Sequence, residues 1–184
     1  MSPVNRHLTT ADVRTAGSGR PSRGIIYGPE GVGKTSLACA SPRPIVVQTR
    51  GETGLETLID GGRVPETPHF PEISTWSELL QVINTLRTET HQFRTLVIDA
   101  LNGAERLCHE HVCQRDFGGR WGRDGFTAYM TGYETAVSDW RELLSALDRL
   151  RAEKNMAILA LCHSRISPFK NPEGPDFDRF TPDL

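Results

Sequence analysis

The eight residues Gly28-Pro29-Glu30-Gly31-Val32-Gly33-Lys34-Thr35 constrain this chain more than any other stretch. They fit the spacing G-x-x-x-x-G-K-[ST], with the apolar run Gly24-Ile25-Ile26-Tyr27 before them and a helix-forming segment, Gly33 to Ala40, after them. A strand that breaks into a glycine turn and then a helix aims successive backbone N–H groups and the positive helix end at one point. That point suits phosphate. In such a loop residues Gly28, Pro29, Glu30, Gly31, Val32, Gly33 and Ser36 surround the phosphates, Lys34 reaches the β and γ oxygens of a nucleotide, and Thr35 ligates Mg²⁺.

The rest of the chain alternates in the same sense. Strands are expected at Pro44–Gln48, Thr95–Asp99 and Met156–Cys162, and helices around Trp76–Arg87 and from about Asn102 to Cys113. The longest helix carries Met130, Tyr133, Val137, Trp140, Leu144 and Leu147 at spacings of three and four, an apolar stripe expected to face the core. Short apolar strands separated by helices need crossover connections, which give a mostly parallel sheet covered on both faces. The expected fold is therefore three-layer α/β. Two segments have no assignment: Gly61–Ser74, rich in proline and glycine, and Gln114–Thr127, which contains RDFGGRWGRDGF. Residues 1–22 lack periodicity and read as a flexible tail, leaving 23–184 as one domain, a length that can bury a core unaided.

A net charge of -2 excludes a polycation, so any affinity for nucleic acid has to be local. The apolar run Met156–Cys162 is far shorter than the roughly 20 residues of a spanning helix, and the first 23 residues lack a secretory apolar stretch, so no membrane role is expected. Cys39, Cys108, Cys113 and Cys162 fall in expected helices and strands and read as free thiols. In Leu107–Gln114, Cys108 and His111 share one helix face while His109 and Cys113 share another, so four ligands do not converge on zinc.

A Mg²⁺ site also needs a carboxylate at the end of a neighbouring strand, and Asp99 supplies one. Residue 100 is alanine, so the base that would orient an attacking water has to come from another strand. Glu52, just beyond Pro44–Gln48, is the first candidate and Glu30 the second. The strand Met156–Cys162 runs into His163 and Ser164, either of which is placed to sense a γ-phosphate.

The stretches IIYGPEGVGKTSLA, PIVVQT, TLVIDALNG, WRELLSALDRLRAEKNMAILALCHS and NPEGPDFDRFTPDL together resemble a RecA-like P-loop ATPase, of the phage type grouped with single-strand annealing recombinases. The resemblance spans Gly24 to Leu184. It implies a RecA-type sheet, ATP with Mg²⁺, Lys34 and Thr35 on phosphate and metal, Asp99 in the metal shell and His163 as sensor. It also implies homo-oligomers with composite ATP sites, single-stranded DNA as partner, and the cytoplasm of a bacterium or phage-infected host. Two departures stand out. Arg50 occupies the position where such proteins carry the catalytic glutamate, and the sequence stops at TPDL where relatives continue with a further helix and strands.

The places that match DNA-binding loops in that family are Gln114–Thr127 and Ser164–Leu184. The first offers Arg115, Arg120 and Arg123 among Phe117, Trp121 and Phe126, and the second offers Arg165 and Lys170, a mixture suited to phosphate contact and base stacking. The expected function is a Mg²⁺-dependent ATPase acting on single-stranded DNA in recombination or strand annealing. Two other classes stay open: a small-molecule or nucleotide kinase with RDFGGRWGRDGF as its lid, and an ATP-binding assembly module with little turnover.

Overall fold

The computed structural model describes residues 9–10, 19 and 21–184, so the expected tail over residues 1–22 lies almost wholly outside the described residues. In chain order the elements are β1 (Arg23–Gly28), α1 (Lys34–Cys39), β2 (Pro44–Gln48), α2 (Gly54–Asp60), α3 (Trp76–Thr88), β3 (Thr95–Asp99), α4 (Leu101–Phe117), α5 (Thr131–Lys154), β4 (Ala157–Phe169) and β5 (Phe177–Pro182). The first four strands lie in the order β1-β4-β3-β2, all parallel, and β5 runs antiparallel to the far half of β4.

Side chains alternate across the sheet and feed two cores. Ile45, Val47, Leu96, Ile98, Ile158 and Ala160 face α3, α4 and α5, while Val46, Val97 and Leu161 face Ala38, Cys39 and Leu55 of α1 and α2. Every residue of β3 is buried, as a central strand covered on both faces requires. The expected three-layer α/β fold is the observed one.

Local chemistry sets the element ends. Helix α3 starts at a reciprocal cap in which the Glu78 N–H donates to Thr75 Oγ1 at 3.2 Å and the Thr75 N–H donates to Glu78 Oε2 at 3.1 Å. Beyond α2, the proline-rich segment covers the outer edge of β2. Phe70 and Ile73 N–H donate to Val46 and Gln48 carbonyls, and the Val46 and Arg50 N–H groups donate to Pro68 and Ile73 carbonyls. Proline has no N–H to give, so this edge is closed without becoming a regular strand.

Three expectations need correcting. Helix α4 runs on to Phe117, so Arg115 and Asp116 are helical instead of belonging to a loop. Ser164–Leu184 is largely a hairpin, held by the Phe169–Phe177 ring pair, Arg179 over the Phe169 ring at 4.8 Å, and the Ser167–Thr181 hydroxyl contact at 3.0 Å. On α5 only half of the apolar stripe is core. Leu147 is buried and Tyr133 and Trp140 pack on the core, but Met130, Val137 and Leu144 are exposed, and the buried line runs through Ala136, Leu143, Leu147 and Leu150. At the start of the helix Gly132 lies under Phe126, where a Cβ would lie 2.4 Å from the ring.

Candidate functional site

The sheet's carboxyl edge carries a cavity of about 410 Å³ between the loop 28–35 and the turn after β2. Its walls include Glu30, Gly31, Gly33, Lys34, Thr35 and Ser36, together with Glu52, Asp99 and His163. Gly31 and Gly33 hold φ +75° and +95°, which a residue with a side chain resists, so the loop's curvature depends on them. Of the other loop residues, Gly28 is buried, Val32 is exposed, and Pro29 lends only its carbonyl.

Lys34, 9% exposed, folds back so that Nζ donates to the carbonyls of Gly28 and Pro29, both at 3.0 Å. Thr35 Oγ1 donates to Asp99 Oδ2 at 2.8 Å. Burial pushes the Asp99 carboxyl up, opposed by the Thr35 hydroxyl. A hydroxyl and a buried carboxylate this close form a hard oxygen pair of the kind Mg²⁺ takes, and a cation there would relieve the cost of burying the charge. The donor set fits the ion.

Beyond β2 the chain turns through Gly51, at φ +93°, and the Glu52 N–H donates to the Thr49 carbonyl at 3.0 Å. Gln48 Nε2 donates to the Glu52 carbonyl at 2.8 Å, anchoring the turn to the strand. Arg50 is thereby sent outward to Glu110 on α4, at 2.6 Å, while the Glu52 carboxylate enters the cavity and meets His163 Nε2 at 3.1 Å. The glycine turn thus sends the residue two positions beyond Arg50 into the cavity while Arg50 points away from it. Ser164, the alternative sensor, has a buried hydroxyl and does not line the cavity.

A second cavity, of about 310 Å³, lies between α4, the segment after it, and the β4–β5 hairpin, lined among others by Asn102, Arg106, His109, Trp121, Arg165 and Asp183. Of the nucleic-acid candidates, the structure brings Trp121 and Arg165 together here. Trp121 stacks on buried Phe126 at 4.6 Å and remains 43% exposed. Arg165 sits 3.6 Å from Asp183. The others go elsewhere. Arg115 is clamped to Asp139 and Asp116, Lys170 pairs with Asp176 at the hairpin tip, and Arg120 and Arg123 are exposed outside the cavity. None of residues 115–126 lines the phosphate cavity, because Phe126 pins that segment to His109, Phe117 and Tyr133, so it is not a lid over it.

Asn102 joins the two cavities. Its Oδ1 accepts from the His163 N–H at 2.7 Å, its Nδ2 donates to the Asp183 carbonyl, and the Asp183 N–H donates to the His163 carbonyl at 2.9 Å. Sequence reasoning missed Asn102, Arg106, His109 and Arg63 as site residues. On α4 Arg106 is exposed and Asn102 and His109 are half-buried beside core positions, His109 having been weighed only as a zinc ligand, and Arg63 lies in the unassigned Gly61–Ser74 segment. Residues 108, 109, 111 and 113 part company: Cys108 and Cys113 are buried in the core, His109 packs on Phe126 and Tyr133, and His111 lies 3.8 Å from Asp139.

A phosphate loop on β1, a strand between it and the strand ending in Asp99, and Thr35 bonded to that carboxylate define a RecA-like P-loop ATPase core. Residues 20–184 match the model of the AAA domain family, and the chain belongs to that family. No curated protein matches it. Among solved structures, the RadB recombinase is similar at 17% identity and a TM-score of 0.48, over 80% of this chain and 62% of that one. The chain thus spans less than two thirds of that protein's length. Among the described residues no helix is long and apolar enough to cross a membrane.

Proposed function

We propose that the protein is a Mg²⁺-dependent ATPase whose turnover answers to single-stranded DNA, acting in recombination or strand annealing. The observation that carries the ATPase part of this reading is the convergence of Lys34, the Thr35–Asp99 pair and the Glu52–His163 pair on one cavity, and the DNA part rests on the sequence resemblance and the second cavity.

Lys34 would leave the Gly28 and Pro29 carbonyls for the β and γ oxygens, and the loop N–H groups would take the remaining phosphate charge. Thr35 Oγ1 and Asp99 would hold Mg²⁺, which when bound neutralises charge on the β and γ oxygens. Glu52 accepts a proton from water as that water's oxygen bonds to the γ-phosphorus and the bond to the bridging oxygen breaks, giving ADP and phosphate. His163 orients the Glu52 carboxylate through Nε2. The second cavity, with Trp121 to stack a base and Arg106 and Arg165 to meet phosphate, is the proposed DNA contact. Homo-oligomers with composite sites belong to the same reading.

The test is ATP hydrolysis with and without single-stranded DNA, together with an acceptor screen. Turnover that rises with DNA and disappears in Lys34→Ala supports the reading. Full activity in Lys34→Ala, or stoichiometric phosphorylation of a small molecule, overturns it.

A further inference from the structure

We propose that the exposed line of α5 is a docking surface for a second copy of this chain, which pairs with it antiparallel about a two-fold axis at Val137. This pairing goes beyond the ATPase reading and does not rest on it, since none of the residues it uses lines the phosphate cavity or the second one.

Met130, Val137 and Leu144 stand seven residues apart and are 59%, 44% and 45% exposed. Scattered exposed apolar side chains are ordinary on a protein surface, but a constant step of seven keeps these three on one line of the helix. With a rise of about 1.5 Å per residue that line is about 21 Å long. On one side of it Tyr133 and Trp140 pack on the core. On the other stand Glu134, Ser138, Arg141 and Ser145, all exposed. Both serine hydroxyls are already used within the helix: Ser138 Oγ donates to the Thr135 carbonyl and Ser145 Oγ to the Arg141 carbonyl, each at 2.8 Å. Covering them strands no donor, and side chains this small let another helix come close.

The charges on this face name the occupant. Glu134 and Arg141 carry opposite signs, and among the described residues neither has an ion pair. Glu134 stands three residues before Val137 and Arg141 four after it, about 4.5 and about 6 Å along the helix axis. An antiparallel copy turned about Val137 therefore sets its Arg141 beside Glu134 and its Glu134 beside Arg141, so that the contact is made twice. The same turn sets Met130 against the second copy's Leu144, and Val137 against its counterpart. A parallel copy would set Glu134 on Glu134 and Arg141 on Arg141, which repel. Asp148, the next acidic residue on this side, is held within its own chain by Arg23 at 2.8 Å and Arg151 at 3.8 Å.

The rest of the fold leaves room for this contact. The core-facing line of α5, through Ala136, Leu143, Leu147 and Leu150, lies roughly a third of a turn around the helix from Val137. In a two-fold pair the two bodies therefore lean away from each other below the helices. A contact about 21 Å long and one helix wide falls short of the about 800 Å² per partner of a stable dimer, so the pairing is reversible and shows at high protein concentration. Because each copy uses the same patch, assembly through it closes at two copies.

Sedimentation velocity of the intact protein from about 5 to about 500 μM, without nucleotide, measures the pairing. A monomer–dimer equilibrium is expected. Leu144→Asp should weaken it about a hundredfold, since each dimer loses two covered leucines. Glu134→Arg and Arg141→Glu should each weaken self-pairing about tenfold, because both crossed contacts become repulsive. Mixed together, those two variants should form a heterodimer at the original affinity, and the double variant carrying both changes should pair with itself again. A protein that stays monomeric throughout would overturn the proposal and give the stripe to a different protein. A dimer that Leu144→Asp leaves intact, or charge variants whose mixture fails to pair, would overturn it as well. All three positions are exposed, so a matching thermal melt for each variant confirms that pairing is read in folded protein.

Discussion

Arg115 and Asp139 make the sharpest energetic prediction, because the two ends of their ion pair sit in different surroundings. The Asp139 side chain is 5% exposed, and Arg115 donates to its oxygens at 2.7 and 3.0 Å. Arg115 is 42% exposed and also holds Asp116 at 2.8 Å. Arg115→Ala therefore strands a buried carboxylate with only Ser138 Oγ at 3.3 Å as hydrogen-bond donor, a loss of about 3–5 kcal/mol. Asp139→Ala leaves a guanidinium that still has Asp116 and water, a loss of about 1–2 kcal/mol. The double variant should be more stable than Arg115→Ala alone, since the stranded charge is gone. Urea unfolding at pH 7 measures all three. The pH dependence has a definite sign: the Arg115 hydrogen bonds hold the Asp139 carboxyl below its usual range. The stabilisation is thus fully present above about pH 4 and is lost as pH falls from there through the folded value. Arg115→Ala should remove that acid-side loss. If Asp139→Ala costs as much as Arg115→Ala, the burial asymmetry does not govern the pair and the reasoning fails.

The remaining predictions concern the nucleotide cavity and the core. Glu52→Gln should abolish turnover while retaining ATP binding, and hydrolysis that survives it assigns the base elsewhere. Asp99→Asn should raise the melting temperature of the nucleotide-free protein, because burial has pushed that carboxyl up and its charge is unfavourable when folded; the same change should remove the Mg²⁺ dependence of nucleotide affinity. Gly103→Ala would place a Cβ 2.0 Å from Thr49 Oγ1, the hydroxyl that bonds both the N–H and the carbonyl of Ala100, and should cost about 1–3 kcal/mol in denaturant titrations. All four cysteines are buried, and burial pushes the Cys108 thiol up to about 12, so a thiol reagent at pH 8 should label the protein only in denaturant.

The layers and the phosphate loop were legible in the sequence because each rests on local signals: apolar runs of strand length, a fixed glycine spacing, and an aspartate closing a buried strand. The Glu52 turn was half legible. The carboxylate could be named, but its return to the cavity depends on Gly51 in a left-handed conformation and on Gln48 reaching the next turn. Side-chain ownership was not legible for the arginines. Arg115 and Lys170 looked available for DNA in a charge count, and their acceptors, Asp139 and Asp176, emerge only once α5 lies against α4 and the hairpin closes. The α5 stripe misled for a similar reason, since which of two adjacent apolar lines faces inward, the one through Ala136, Leu143, Leu147 and Leu150, shows only once α5 packs on α3 and α4.

Asn102 gives the two cavities a shared account. Its carbonyl oxygen holds the His163 N–H at the middle of β4, and its amide nitrogen donates to the carbonyl of Asp183, whose side chain lies beside Arg165. If the protein binds DNA as proposed above, whatever factor DNA brings to nucleotide affinity nucleotide must return to DNA affinity, because the coupling free energy is one quantity read from either end. Titrating nucleotide against DNA-bound protein and DNA against nucleotide-bound protein should give the same ratio, and Asn102→Ala should bring both ratios toward one together.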